Sequence, residues 1–337
     1  MFVLQGPRTG GGGMDAMADL TIPYQYVPNV LFLGNGLNRA FDSKNSVSWD
    51  DEVCHHTDLS EEEKVSARDA PYPLQAVIFS DDHVEVKKKE DAPGLANLPV
   101  PDQEAELIRK YLSLGFDAVL TTDYSYEAEK SVDARFHLEV GRSSRYRRAT
   151  TAEKNKWKRR GLYQYYMVEG TDKVMAPPIW HIHGEAALPD SMVLGHYDYG
   201  KIQSAIQEYI TTFERRWNGA SRYGKDFIVN SWIDYFMTGN VYMVGYGLDL
   251  SEFDIWWLIN CKKRHNPNGS RIIWLEPEID ITSRLLAGAY GMMTPDIDMT
   301  DVNLDKTDGE ENEQWFQVYH ERAFAYIQDC MAGESRA

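Results

Sequence analysis

Short apolar runs alternate with longer stretches of helical period along this chain. Five runs have strand length: "NVLFLG" (29–34), "DAVLTTDY" (117–124), "PIWHIHG" (178–184), "VYMVGYG" (241–247) and "RIIWLE" (271–276). Nearly continuous apolar strands suit a parallel sheet that is buried on both faces by helices. Each run closes in glycine, polar or charged residues. In an open parallel sheet the ligand lies beyond the carboxyl ends of the strands, so the five ends define one candidate crevice.

The intervening segments carry the stripe of covering helices. In "PDQEAELIRKYLSLG" (101–115), Ile108, Tyr111 and Leu112 share a face; in residues 199–217, Ile202, Ala205, Ile206, Tyr209, Ile210 and Phe213 do the same. Ser251 opens "SEFDIWWLINCKKRH" with Asp254 three residues on as a capping-box acid and basic residues at the far end. Trp256, Trp257 and Ile259 on that helix read as packing residues. The expected fold is α/β, a Rossmann-like parallel sheet with helices on both faces. Residues 1–20 read as a disordered leader, 21–300 as one domain, and 301–337 as an acidic linker followed by a C-terminal helix that caps the domain or makes an oligomer contact. Two polar segments, 42–100 and 127–175, break the alternation and read as insertions after sheet strands. Loops that leave carboxyl ends overhang the crevice, so both are candidates for a lid or wall.

Charge narrows the function classes. A net charge of −17 over 337 residues disfavours a general polyanion binder, so a nucleic-acid partner is not expected. The basic run from Arg142 to Arg160 is the local exception; it reads first as a solvated insertion, and as a nucleic-acid or protein contact only second. Cys54, Cys261 and Cys330 stand too far apart for a disulfide framework or a structural zinc module, which points to a reducing compartment. No stretch reaches the roughly 18–20 apolar residues of a membrane span, and the first 20 residues lack signal-peptide features; a cytoplasmic protein with no membrane partner is expected.

Three strand ends carry candidate chemistry. Gly34-Asn35-Gly36, between an apolar run and a helix start, suits backbone approach to a phosphate, or equally a plain strand-to-helix turn. Thr121, Thr122, Asp123 and Ser125 either bind a ligand or cap the next helix. His181 and His183, two apart on a strand, point to one face and with His196 could hold a metal.

Taken in order, the strand-GNG loop, the strand ending in T-T-D-Y, the I-H-G turn and "VGYGLDLSEFDIWWLI" resemble the sirtuin-like superfamily, in its bacterial NAD-hydrolase branch from phage-defence systems. The resemblance spans about residues 27–280 outside the two insertions. It implies that Gly34, Asn35, Gly36 and Asn38 line the NAD+ diphosphate, that Thr122, Asp123 and Ser125 face the nicotinamide ribose, and that His183 is the catalytic base. Gly245, Tyr246 and Gly247 would contact the adenosine, with Glu276 at its ribose, and His181 would support His183. The implied reaction is hydrolysis of NAD+ to nicotinamide and ADP-ribose, without a metal. A homo-oligomer, gated by assembly or by an activating protein partner, is implied as well. Two positions depart from the family pattern: Asp123 stands where asparagine is expected, and Ser125 where aspartate is. A carboxylate only accepts hydrogen bonds whereas an amide also donates, so Asp123 orients water, favours positive charge on the ribose, or marks a silent site. The alternatives are a silent NAD or ADP-ribose binding module, an NAD-dependent deacylase without the usual four-cysteine zinc module, and a metal hydrolase built on His181, His183 and His196.

Overall fold

A computed structural model describes residues 20–41, 59–78, 96–132, 139–142, 150–152, 161–168, 176–266 and 268–334. The expected leader, 1–20, lies almost wholly outside these residues, as does most of the basic run. Nine strands are described: β1 (Thr21–Ile22), β2 (Asn29–Leu33), β3 (Ala118–Thr121), β4 (Glu139–Arg142), β5 (Gln164–Met167), β6 (Ile179–His181), β7 (Phe227–Ile228), β8 (Asn240–Val244) and β9 (Ile272–Leu275). β1 and β7 form a small antiparallel pair; the other seven form one sheet in the order β4-β5-β6-β3-β2-β8-β9.

All five apolar runs are strands of this sheet, and β6, β3, β2, β8 and β9 run parallel. Each is shorter than its run because the polar carboxyl end leaves the ladder. The expectation of an all-parallel sheet needs correction at one edge. β5 pairs antiparallel with both β4 and β6. Segment 127–175 is therefore not simply an insertion: it contributes the helix Glu127–Val132 and two strands of the sheet. A short antiparallel excursion needs only a tight connection, whereas a parallel one needs a crossover helix.

Strand periodicity sorts the core into two layers. Val30 and Phe32, Ala118 and Leu120, Val241 and Met243, and Ile272 and Trp274 pack on one face with the helices His196–Arg222, Trp232–Thr238 and Phe253–His265. Leu31 and Leu33, Val119, Tyr242 and Val244, and Ile273 and Leu275 face the opposite layer, with the helices Asp102–Leu112 and Gly309–Glu334. The sheet is buried on both sides, as its unbroken apolar strands require. Phe32 is fully buried, and cutting such a ring back to alanine costs about 3–5 kcal/mol.

The C-terminal helix Gly309–Glu334 belongs to the domain. Its Tyr319, Ala323 and Ile327 are buried in the second layer. Tyr111 Oη donates to His320 O at 2.8 Å, and Gln317 Nε2 donates to Ala40 O at 2.8 Å. Among the described residues no helix is long and apolar enough to cross a membrane.

The chain runs outward from β2 to β3 and β6, then returns to the other side of β2 as β8 and β9. The loops after β2 and β8 thus lie at the point where the strand order reverses, the usual place for a ligand crevice in an open sheet.

Candidate functional site

At that reversal lies a cavity of about 840 Å³. Ten of the twelve residues singled out from the sequence line it: Asn35, Gly36, Thr122, Asp123, Ser125, His183, Gly245, Tyr246, Gly247 and Glu276. Tyr72 and Leu98, from segment 42–100, form part of the wall. So do Glu127, Gly309, Asn312, Glu313 and Phe316, so the acidic linker and the C-terminal helix also contribute to the site.

The glycines of the first loop serve a purpose other than the one expected. A Cβ on Gly34 would lie 2.6 Å from Gly245 O, and one on Gly36 2.7 Å from the same atom. Gly36 N donates to Gly245 O at 2.7 Å, and Gly34 N donates to Val244 O at 3.0 Å. These glycines let the β2 and β8 loops touch, and the amides that were to cradle a phosphate are already used. Gly34 does not line the cavity. Gly245 closes the contact in the left-handed region, at φ 63°, with its Cβ position 2.5 Å from Leu37 N.

Asn38 is corrected in the same way. It is buried, and its Nδ2 donates to Asp123 Oδ2 at 3.2 Å and to Asn35 Oδ1 at 3.4 Å. It holds Asp123 and does not line the cavity. Thr121 Oγ1 donates to the same Asp123 oxygen at 3.1 Å and accepts from Asp123 N at 3.0 Å. Burial, reinforced by the neighbouring Glu127, pushes the Asp123 carboxyl up to about 7, against the opposing pull of Thr121, His181 and Asn38. Glu276, at the end of β9, is also raised to about 7, by burial and then by Glu278.

The two histidines do not share a face. β6 ends at His181, and the turn through Ile182 and His183 swings the second ring to the other side of the sheet. His181 Nδ1 faces Asp123 O at 2.7 Å and Nε2 faces Glu129 Oε1 at 3.0 Å, with the rings of Tyr126 and Tyr166 edge-on. A carbonyl only accepts, so Nδ1 carries a proton and Nε2 is turned to the Glu129 carboxyl. Burial by itself lowers this histidine, but Glu129, Glu185 and the Asp123 carbonyl outweigh it and raise the ring to about 9. His181 thus supports Asp123, not His183. His196 is the exposed first residue of its helix. The triad of His181, His183 and His196 is not assembled.

His183 lines the cavity from the opposite layer. Its Nε2 meets Asp254 Oδ2 at 3.0 Å, and Glu252 Oε2 lies 3.9 Å away. The Tyr199 ring stands edge-on at 5.6 Å, and Tyr199 Oη donates to Glu252 Oε2 at 3.1 Å. Burial lowers the imidazole, yet Asp254 and then Glu252 reverse that and hold it at about 9. The turn depends on Gly184, at φ 93°, where a Cβ would lie 2.2 Å from Ser191 O.

Asp254 is the residue that sequence reasoning misassigned. The helix begins at Phe253 with Glu252 as its N-cap and no side-chain cap bond, and Ser251 N instead donates to Asp249 Oδ1 at 2.7 Å. Asp254 is fully buried and turned to His183, so the acid read as a cap is part of the site. Glu252 and Tyr199 were missed altogether. The available signal was three acids, Asp249, Glu252 and Asp254, within nine residues of a strand-end glycine pair, "GYGLDLSEFD".

The lining carries six carboxylate residues against two basic ones, Arg39 and Lys306. Lys306 pairs with Glu278 and covers the Trp315 ring at 3.8 Å. The guanidinium of Arg39 has no carboxylate partner among the described residues.

No family model matches this chain, and no curated protein matches it. The motif resemblance therefore rests on the order of the four strand ends and on their convergence in one cavity.

Proposed function

We propose that this protein is an NAD+ glycohydrolase, releasing nicotinamide and ADP-ribose. The observation that carries the reading is convergence. Strand ends separated by more than two hundred positions meet at the sheet's reversal point around a histidine oriented by a buried carboxylate. A cavity of this size falls within the range of small-molecule sites.

The chemistry follows from His183 and Asp254. With Nε2–H directed to Asp254, Nδ1 is the nitrogen left for the cavity, and its lone pair takes the proton of the attacking water. Water oxygen bonds to C1′ of the ribose, the C1′–N bond breaks, and its electron pair neutralises the pyridinium nitrogen of the departing nicotinamide. Asp254 then stabilises the imidazolium, the part a carboxylate plays beside any histidine base. Asp123, when ionised, favours the oxocarbenium-like ribose between the two steps. Because His183 sits near 9, the unprotonated base is scarce at neutral pH and grows as pH rises.

The test is to incubate the protein and a His183→Ala variant with NAD+ at pH 7 and pH 9 and separate the products by chromatography. Nicotinamide release that climbs with pH and vanishes in the variant supports the hydrolase. Undiminished release from His183→Ala removes the proposal.

A second reading, a silent NAD or ADP-ribose binding module, is favoured by the His183 imidazole held near 9, which leaves little free base at neutral pH. It predicts calorimetric NAD+ binding with no nicotinamide at either pH. The antiviral role, a homo-oligomer and an activating partner belong to the hydrolase proposal and rest on the motif resemblance.

A further inference from the structure

His183, Glu252 and Asp254 bring one nitrogen and two carboxylate oxygens within 4.8 Å of one another at the edge of the cavity. Donors about 2.0–2.2 Å from a common ion, at angles of 90–110°, stand roughly 3.0–3.5 Å apart. The Nε2 to Oδ2 separation, 3.0 Å, is already in that range; the Nε2 to Glu252 Oε2 separation is 3.9 Å, so Glu252 has to approach the pair to complete the set.

Two further observations point to a ligand there. Asp254 is fully buried, and its Oδ1 has no hydrogen-bond partner. A buried carboxylate oxygen left unpaired costs about 1–3 kcal/mol or more, which a cation would recover. The charges also fail to balance: two carboxylates face one imidazole, and no lysine or arginine contacts either acid among the described residues. With both acids ionised the cluster is net negative even when the ring is protonated; burial and then Asp254 raise Glu252 to about 7, against the pull of His183. Replacing the ring proton by a dication makes it neutral.

We infer that His183, Glu252 and Asp254 form a binding site for a first-row divalent cation, with a water from the cavity completing the shell. One nitrogen and two oxygen donors suit Zn²⁺ or Mn²⁺ better than the all-oxygen preference of Mg²⁺ or Ca²⁺. A metal on Nε2 leaves Nδ1 protonated and without a lone pair, so the bound cation silences the base. That consequence rests on the hydrolase reading; the binding itself does not.

The experiment uses the full chain, stripped with chelator and dialysed, titrated with Zn²⁺ by calorimetry and by competition with a chromophoric chelator. The expected result is one equivalent bound, with affinity at least tenfold weaker in Glu252→Gln and in Asp254→Asn. Melting temperature and far-ultraviolet dichroism check that both variants fold. Glu252 is the less buried of the pair, so its variant keeps the test open if Asp254→Asn does not fold. X-ray absorption at the zinc edge should show nitrogen and oxygen neighbours including a single imidazole. No binding, or binding of equal strength in the folded variants, overturns the site. NAD+ cleavage by the wild type should fall as zinc approaches one equivalent and return with chelator. Zinc binding with unchanged cleavage overturns the silencing, and cleavage absent under all conditions counts against the hydrolase while calorimetry still decides the site.

Discussion

Asp254→Asn tests the hydrolase mechanism most directly, because it removes a charge that touches the base but does not line the cavity. The carboxylate lies 3.0 Å from His183 Nε2, and both groups are buried. Unit charges about 3–4 Å apart at an effective dielectric near 20 attract by roughly 4–5 kcal/mol. The asparagine Oδ1 can still accept from Nε2–H, which returns about 1–1.5 kcal/mol. About 3 kcal/mol of imidazolium stabilisation is lost, and the expected fall in kcat is about a hundredfold. KM should hold, since nothing that touches substrate has changed. A steady-state assay of nicotinamide release, run from pH 6 to pH 10, reads both quantities. The variant should also reach its plateau at lower pH, because without Asp254 burial pulls His183 down from about 9. Stability gives an independent check. A histidine raised above its unfolded value of 6.5 contributes stability that is present below 6.5 and lost as pH climbs through about 9. Urea denaturation should show a smaller loss in the variant than in the wild type, the remainder being carried by His181, which is also raised to about 9. A kcat within threefold of wild type, or a KM increase that accounts for the whole effect, would refute the dyad.

Three other outcomes follow from the fold. Gly184→Ala places a methyl 2.2 Å from Ser191 O in a left-handed backbone, so we expect a loss of about 2–4 kcal/mol by chemical denaturation and a displaced His183 with little activity. His320 is buried against the Gly36 carbonyl and depressed to about 4, so the unfolded chain binds the extra proton between pH 6.5 and 4. Stability should fall by about 3 kcal/mol across that window, and His320→Gln should flatten it. Lys262 Nζ, buried and lowered to about 7, donates to the carbonyls of Phe236, Met237 and Gly239 at 2.9, 3.2 and 2.8 Å. Lys262→Met strands those acceptors and should lower the urea midpoint by the equivalent of about 2–4 kcal/mol; an unchanged midpoint would mean that water replaces the ammonium.

Much of the architecture could be read along the chain, because a strand buried on two faces needs an unbroken apolar run and a covering helix needs a stripe. Those are local requirements, and Val30 through Leu33 or Ile272 through Leu275 satisfy them without reference to one another. The positions of Asp123, His183 and Gly245 near a common crevice follow from the same rule, since parallel strands end on one side. What the tertiary structure alone decided is where each side chain points and what it meets. Gly34 and Gly36 are spent on the β8 loop, a contact across two hundred residues. Asn38 serves Asp123. Asp254 has the spacing of a capping acid after Ser251, and only the approach of the β6 turn makes it the partner of His183. The antiparallel strands β4 and β5 at one end of the sheet carry no period of their own, because their pairing is set by the neighbour they add to. Local pattern records burial, which each residue experiences separately; a site is made of pairwise distances, and those exist only once the chain has closed on itself.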